Sequence, residues 1–274
     1  MKLSQFFKLF LNVKSAEVSP ATVEKYKQSV DRFLSVAGDK DLSQYTTFDI
    51  EKFKLLEKNK GVRATTINIW LRHIKAVFNY AYQTGEIKNQ ILVKQFRVLE
   101  KPVREIPKST ITKLINASDP QYRDLLIVAF NTGMRRGELF SLKCENIDFE
   151  AGLITLMPHQ TKVKKVRYIP VPDRVLQILA RCCEGKRKNQ RVFDFLKDEN
   201  SITYRFQKLK RKTGIKNVRF HDIRHTFALR LVKEGFDISE VQQILGHSTI
   251  ITTKKYLRFR EEYLREKLKN LKIV

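Results

Sequence analysis

Apolar side chains recur three and four positions apart through the first hundred residues, the period of a helix with one buried face. After Ser19-Pro20, the run Val23, Tyr26, Val30, Phe33 and Leu34 predicts a helix that Gly38 ends. Ser19 supplies an N-cap oxygen, and Pro20 suits the first helical position because the N–H it lacks would have no partner there. A second, shorter helix is predicted from near Thr47, carrying Ile50, Phe53, Leu55 and Leu56. A third carries Ile67, Trp70, Leu71, Ile74, Val77, Phe78, Ala81 and Tyr82 and closes at Gly85. Its other face shows Arg63, Arg72 and Lys75, which read equally as contacts to a polyanion or as ordinary solvated charges.

The periodicity lapses between Gln95 and Lys108, where Pro102 and Pro107 stand among charges. The expected organisation is a helical domain over 1–95, a linker over 96–108 and a second domain over 109–274. In the second domain Ser109 is expected to cap a helix, and Leu125 to Phe130 form a buried helix stopped at Gly133. Leu153 to Leu156 and Val166 to Val171 read as two strands of a hairpin joined by a Lys-rich turn. Helices resume near Asp173, Ser201 and His221 and at Ile238 to Leu245. A last amphipathic helix, about Arg260 to Lys269, uses Tyr263, Leu264, Leu268 and Leu271. The predicted fold class is mainly α, with a small antiparallel β-sheet in the C-terminal domain.

Composition narrows the function. Of the 274 residues 42% are hydrophobic, enough for globular cores, and 54 Lys and Arg face 29 Asp and Glu, a formal charge of +25. Such an excess repels itself in a compact chain and points to a polyanionic partner, nucleic acid first. Cys144, Cys182 and Cys183 form no CxxC pair, so neither a disulfide framework nor a zinc knuckle is expected, and free thiols fit a reducing cytoplasm. Lys2, Lys8 and Lys14 interrupt the apolar N-terminus, which therefore lacks the core of a signal peptide. No run approaches the ~20 apolar residues of a membrane span, and a cytoplasmic protein is the expectation.

Four short clusters could carry chemistry. Thr132-Gly133-Met134-Arg135-Arg136-Gly137-Glu138-Leu139 puts arginines at a helix start, where free N–H groups and a guanidinium can hold a phosphate. In His221-Asp222-Ile223-Arg224-His225, His221 and Arg224 lie one turn apart, an imidazole beside a guanidinium. A zincin reading of His221 and His225 fails, because position 222 is Asp and no third ligand is evident; no metal is expected. Leu245-Gly246-His247-Ser248 ends a helix with a histidine just beyond, and Thr252-Thr253-Lys254-Lys255-Tyr256 places a tyrosine beside lysines. Singly, each cluster also reads as a helix stop, a cap or surface decoration.

Taken in order, Arg135, a hairpin lysine, His221-x-x-Arg224, Leu245-Gly246-His247 and Tyr256 resemble the catalytic set of the tyrosine recombinase (phage integrase) family. The likeness runs through the whole second domain, and the first resembles that family's helical, SAM-like core-binding domain. It implies a site-specific recombinase of simple, Xer-like two-domain architecture, with no arm-binding module ahead of it. By this resemblance Arg135 and Arg224 clamp the scissile phosphate, His221 assists proton transfer, His247 hydrogen-bonds the phosphate or leaving group, and Glu138 anchors the arginine motif. Tyr256 is the nucleophile, forming a 3′-phosphotyrosine and freeing a 5′-hydroxyl, with no metal, ATP or other cofactor.

The hairpin lysine that protonates the leaving oxygen best matches Lys162, although the turn lacks the family's common glycine and also offers Lys164 and Lys165. The implied partner is double-stranded DNA, gripped by a homotetramer on two sites. The last helix then docks either on its own domain or, by exchange, on a neighbouring protomer. Two further readings stand beside recombination: a type IB topoisomerase-like nicking-closing enzyme, and a non-catalytic basic DNA-binding protein on the same fold.

Overall fold

The computed structural model describes residues 1–99, 103–161, 163–249, 253 and 256. The chain divides into two compact units, Met1–Lys101 and Pro102–Val274.

The first unit is built from four helices, α1 (Leu3–Glu17), α2 (Pro20–Ala37), α3 (Thr47–Asn59) and α4 (Ala64–Gln83). As expected, Ser19 caps α2, its hydroxyl accepting from the Thr22 amide at 3.3 Å. Aromatic rings fill the core. Phe33 meets Phe53 edge-on at 5.4 Å and Phe78 at 6.0 Å, the arrangement favoured by the ring quadrupole. The lysine-interrupted N-terminus is itself a helix: Leu3, Phe6, Phe7 and Phe10 share one buried face while the lysines point elsewhere. Leu55 and Leu56, assigned to the apolar face of α3, are instead exposed; Ile50 and Phe53 do the burying. Glu57 on the same helix is buried, and its carboxylate accepts from Arg32 at 2.8 Å and Lys60 at 3.0 Å.

The second unit runs α5 (Lys108–Ala117), α6 (Pro120–Thr132), α7 (Arg136–Ser141), β1 (Ile147–Asp148), β2 (Leu153–Leu156), β3 (Arg167–Pro170), α8 (Asp173–Cys183), α9 (Asn200–Thr213), α10 (Phe220–Lys233) and α11 (Ile238–Leu245). The predicted hairpin is present as β2 and β3, antiparallel, with Ile154 opposite Ile169. The two-residue β1, too short to carry a pattern, extends it to three strands. Ser109 lies inside α5, which starts one residue earlier, after Pro107, whose ring already fixes the chain for helix entry. The hairpin turn departs from the usual glycine solution: Lys164 takes a left-handed backbone, φ 51°, a cost of about 1–2 kcal/mol for a residue with a Cβ.

The cysteine expectation is overturned. Cys144 and Cys183 are joined in a disulfide, their Cα atoms 5.8 Å apart, and only Cys182 is free. Cys144 follows α7 and Cys183 ends α8, so the pair meets only through tertiary packing and leaves no spacing signal. Burial and the nearby Asp124 push the Cys182 thiol up to about 11, which keeps it protonated and unreactive. No described helix is long and apolar enough to cross a membrane.

Truncating the centre of the first core should be costly. Phe33→Ala is expected to lower stability by about 3–5 kcal/mol, measured by urea unfolding of the full chain.

Candidate active site

The site begins at two helix ends. α11 stops at Leu245 because Gly246 turns left-handed, φ 64°, which leaves the last carbonyls of the helix without partners from the helix itself. Guanidinium groups fill that gap. Arg224 and Arg167 both donate to the Leu245 carbonyl, Arg167 at 2.8 Å, and Arg135 donates to the Gly246 carbonyl at 2.7 Å. Cations there also meet the negative end of the helix dipole. At the other end, Arg135 is the N-cap of α7, and Glu138 reaches back to accept its amide at 2.6 Å.

Glu138 is nearly inaccessible, at 2%, and it gathers the arginines. Its carboxylate accepts from Arg135 at 2.7 Å and Arg167 at 3.0 Å, and lies 4.0 Å from Arg224. Three guanidiniums thus surround one carboxylate, leaving buried positive charge in excess. Burial pushes Arg224 down to about 9, with Arg135 adding to the shift and Glu138 opposing it. Arg167 is also lowered, by burial first, and its Nε and Nη2 find no partner among the described residues. A site in this electrostatic condition is relieved by an incoming anion, and planar guanidiniums match the oxygens of a phosphate.

Two clefts open on this cluster and share Arg135. One, of about 570 Å³, is also lined by Arg136, Gln160, Arg219 and His221. The other, of about 510 Å³, adds Lys165, Gln242, Gly246 and His247. His247 Nδ1 lies 2.9 Å from the Thr253 hydroxyl. Tyr256 is wholly buried with Leu229, Val241 and Leu245, and its Oη lies 2.7 Å from His225 Nδ1. Burial pushes the phenol up from its ordinary range, with Arg224 countering.

Of the residues singled out from the sequence, Arg135, Glu138 and Arg224 meet in one cluster, and His221 and His247 each line one of the clefts beside it. Lys162 and the helix proposed near Arg260 to Lys269 lie outside the described residues. Arg63, Arg72 and Lys75 are exposed on the first unit. Two participants carried no assigned role in the sequence reading: Arg167, whose position inside a strand made it look like hairpin context, and His225, quoted within the motif but set aside with the metal reading. Among the described residues no group of three or more His, Cys, Asp or Glu side chains could hold a metal ion.

Fold and site together define a helical domain followed by a domain that carries an arginine-built anion site beside a buried tyrosine. The phage integrase family matches residues 104–262, and the N-terminal SAM-like domain of phage integrases matches 5–85. The chain belongs to the phage integrase family. A tyrosine recombinase XerC of Bacillus licheniformis is 30% identical, over 96% of this chain and 95% of that one. The fold also resembles that of the Tn1549 transposon integrase in complex with circular intermediate DNA, with TM-score 0.78, 22% identity, and coverage of 99% of this chain and 100% of that one. It resembles, too, a lambda integrase tetramer bound to a Holliday junction, with TM-score 0.74, 18% identity, and coverage of 91% and 78%. At these identities the likeness to the solved structures is one of fold.

Two substitutions probe the cluster. Glu138→Gln strands three guanidiniums beside a neutral amide and should cost about 3–5 kcal/mol in denaturant unfolding, as for other broken buried pairs. Gly246→Ala combines a positive φ with a Cβ 2.6 Å from Arg167 Cδ, and Arg167 is itself buried and cannot swing away. It should lower the melting temperature and stability by about 1–2 kcal/mol or more.

Proposed function

We propose that this site-specific recombinase cuts and rejoins DNA strands through a covalent 3′-phosphotyrosine on Tyr256, using its own side chains and neither a metal ion nor ATP. The observation that carries the reading is the convergence of Arg135 and Arg224 on Glu138 and the end of α11, with Arg224 close enough to act electrostatically on the Tyr256 phenol. A scissile phosphate placed against these arginines meets fixed positive charge that needs no rearrangement as the pentavalent transition state forms. Attack by Tyr256 retains the ester bond energy, so a 5′-hydroxyl from another strand reverses the step without a nucleotide cofactor. In this scheme His221 and His247 serve the phosphate from the two clefts.

Lys162 is the proposed acid for the leaving 5′-oxygen. Nearby, Thr161 accepts the Lys165 amide and donates to the Lys165 carbonyl at 2.8 Å. Residues 1–95 are proposed as the core-binding domain, with Arg63, Arg72 and Lys75 on DNA phosphates, residues 96–108 as the linker and 109–274 as the catalytic domain. The proposed assembly is a homotetramer on two DNA sites with exchange of the C-terminal helix, and the proposed location is the cytoplasm. The tetrameric lambda integrase on a Holliday junction supports that assembly by likeness of fold.

Incubating the protein without metal on nicked duplexes should yield a DNA adduct on Tyr256, identified by denaturing gel and peptide mass spectrometry. Tyr256→Phe should abolish the adduct and keep DNA affinity. Arg224→Ala should slow adduct formation by about 10²–10³-fold. Tight binding with no adduct on any duplex would favour a non-catalytic DNA-binding protein; relaxation of supercoils without strand exchange would favour a nicking-closing enzyme.

A further inference from the structure

The Tyr256 hydroxyl is in contact with an imidazole nitrogen that neither the motif roles nor the phosphate site uses. His225 follows Arg224 on α10, so the two side chains leave the helix about 100° apart. Arg224 turns to the Gly133 and Leu245 carbonyls, whereas His225 faces Tyr256, with Nδ1 2.7 Å from Oη. One turn earlier, His221 lines the cleft with Arg135 and Arg219, and its ring meets that of His225 edge-on at 4.8 Å. The two histidines of the segment therefore face different partners, one the phosphate cleft and the other the nucleophile.

A wholly buried phenol loses its proton reluctantly, and here burial raises its pKa against the pull of Arg224. A phenolate nucleophile in that setting needs a base within hydrogen-bonding distance, and a neutral imidazole is the side chain suited to the task near neutral pH.

We propose that His225 is a catalytic residue, the base that takes the Tyr256 proton as Oη attacks the scissile phosphorus. The proposal rests on the reading of Tyr256 as nucleophile. In this role the resting ring carries its hydrogen on Nε2 and the phenol donates to Nδ1. In the cleavage step the Oη–P bond forms and the P–O5′ bond breaks. The phenolic proton passes to Nδ1, making an imidazolium, and the 5′-oxygen takes its proton from a separate acid, Lys162 in the scheme above. In rejoining, the imidazolium returns its proton to the departing Tyr256 oxygen. Among the described residues, the charged and titratable groups near the pair include His221 and Arg224 on α10, with Arg135, Glu138 and Arg167 reached through Arg224 and His247 beyond the end of α11.

The test compares single-turnover formation of the Tyr256 adduct on a nicked duplex for the wild-type chain, His225→Ala and His225→Asn. An asparagine amide places a hydrogen-bonding atom near the position of Nδ1, so it can hold the phenol but cannot take its proton. With DNA affinity and melting temperature retained, both variants should be slower by about 10²-fold or more at neutral pH, and should recover from about pH 7 to about pH 9 as hydroxide replaces the ring. Wild-type rates in either variant overturn the proposal, as does a slow variant that alkali fails to restore. If His225→Ala does not fold, the closer-shaped His225→Asn decides alone. Absence of any adduct from the wild-type chain itself sinks the recombinase reading, and the His225 role with it, whereas a wild-type adduct matched by the variants sinks only the role of His225.

Discussion

The second unit is organised around one carboxylate. Glu138 accepts hydrogen bonds from Arg135 and Arg167 and stands in ion-pair range of Arg224, although these residues come from the start of α7, from β3 and from α10. Each of those elements is held in place by the need to keep its cation beside the anion, because an unpaired charge at that depth is far more expensive than a paired one. The carboxylate is too little to neutralise all three. The same interaction that fixes the framework therefore leaves the residual positive charge that an anionic substrate completes.

The end of α11 is the second anchor. Its unfilled carbonyls accept from the same three arginines, so the cluster is held from an acidic side chain on one side and from backbone on the other. Gly246 serves both ends of this arrangement. Its left-handed turn stops the helix where the carbonyls are wanted, and its missing Cβ leaves room for the Arg167 chain. Strain and close approach coincide at one residue, as happens where a backbone must come near a functional group.

How much of this is readable along the chain depends on whether the controlling forces are local. The helices of the first unit and the β2–β3 hairpin follow from hydrophobic period and caps, which act over a few residues. Arg135, Glu138, Arg224 and Tyr256 stood out by motif, since their spacing survives as a pattern in order. Arg167 did not: within a strand reading it looked like one more charge in a basic hairpin, and its burial depends on Glu138, 29 positions earlier. Leu55 and Leu56 misled for the opposite reason, being apolar residues at helical spacing that no neighbouring element covers. The bond between Cys144 and Cys183 was equally hidden, because two helix ends must pack before the sulfurs meet.

That bond changes the topology of the hairpin region. The chain from Cys144 to Cys183 takes in all three strands and α8 and returns to its own start, forming a covalent ring within the domain. The Lys-rich turn lies on the rim of that ring, exposed at Lys164 and Lys165. A protease that nicks the turn would open the ring without releasing a fragment, and the severed arms would stay tethered through sulfur until a reductant parted them.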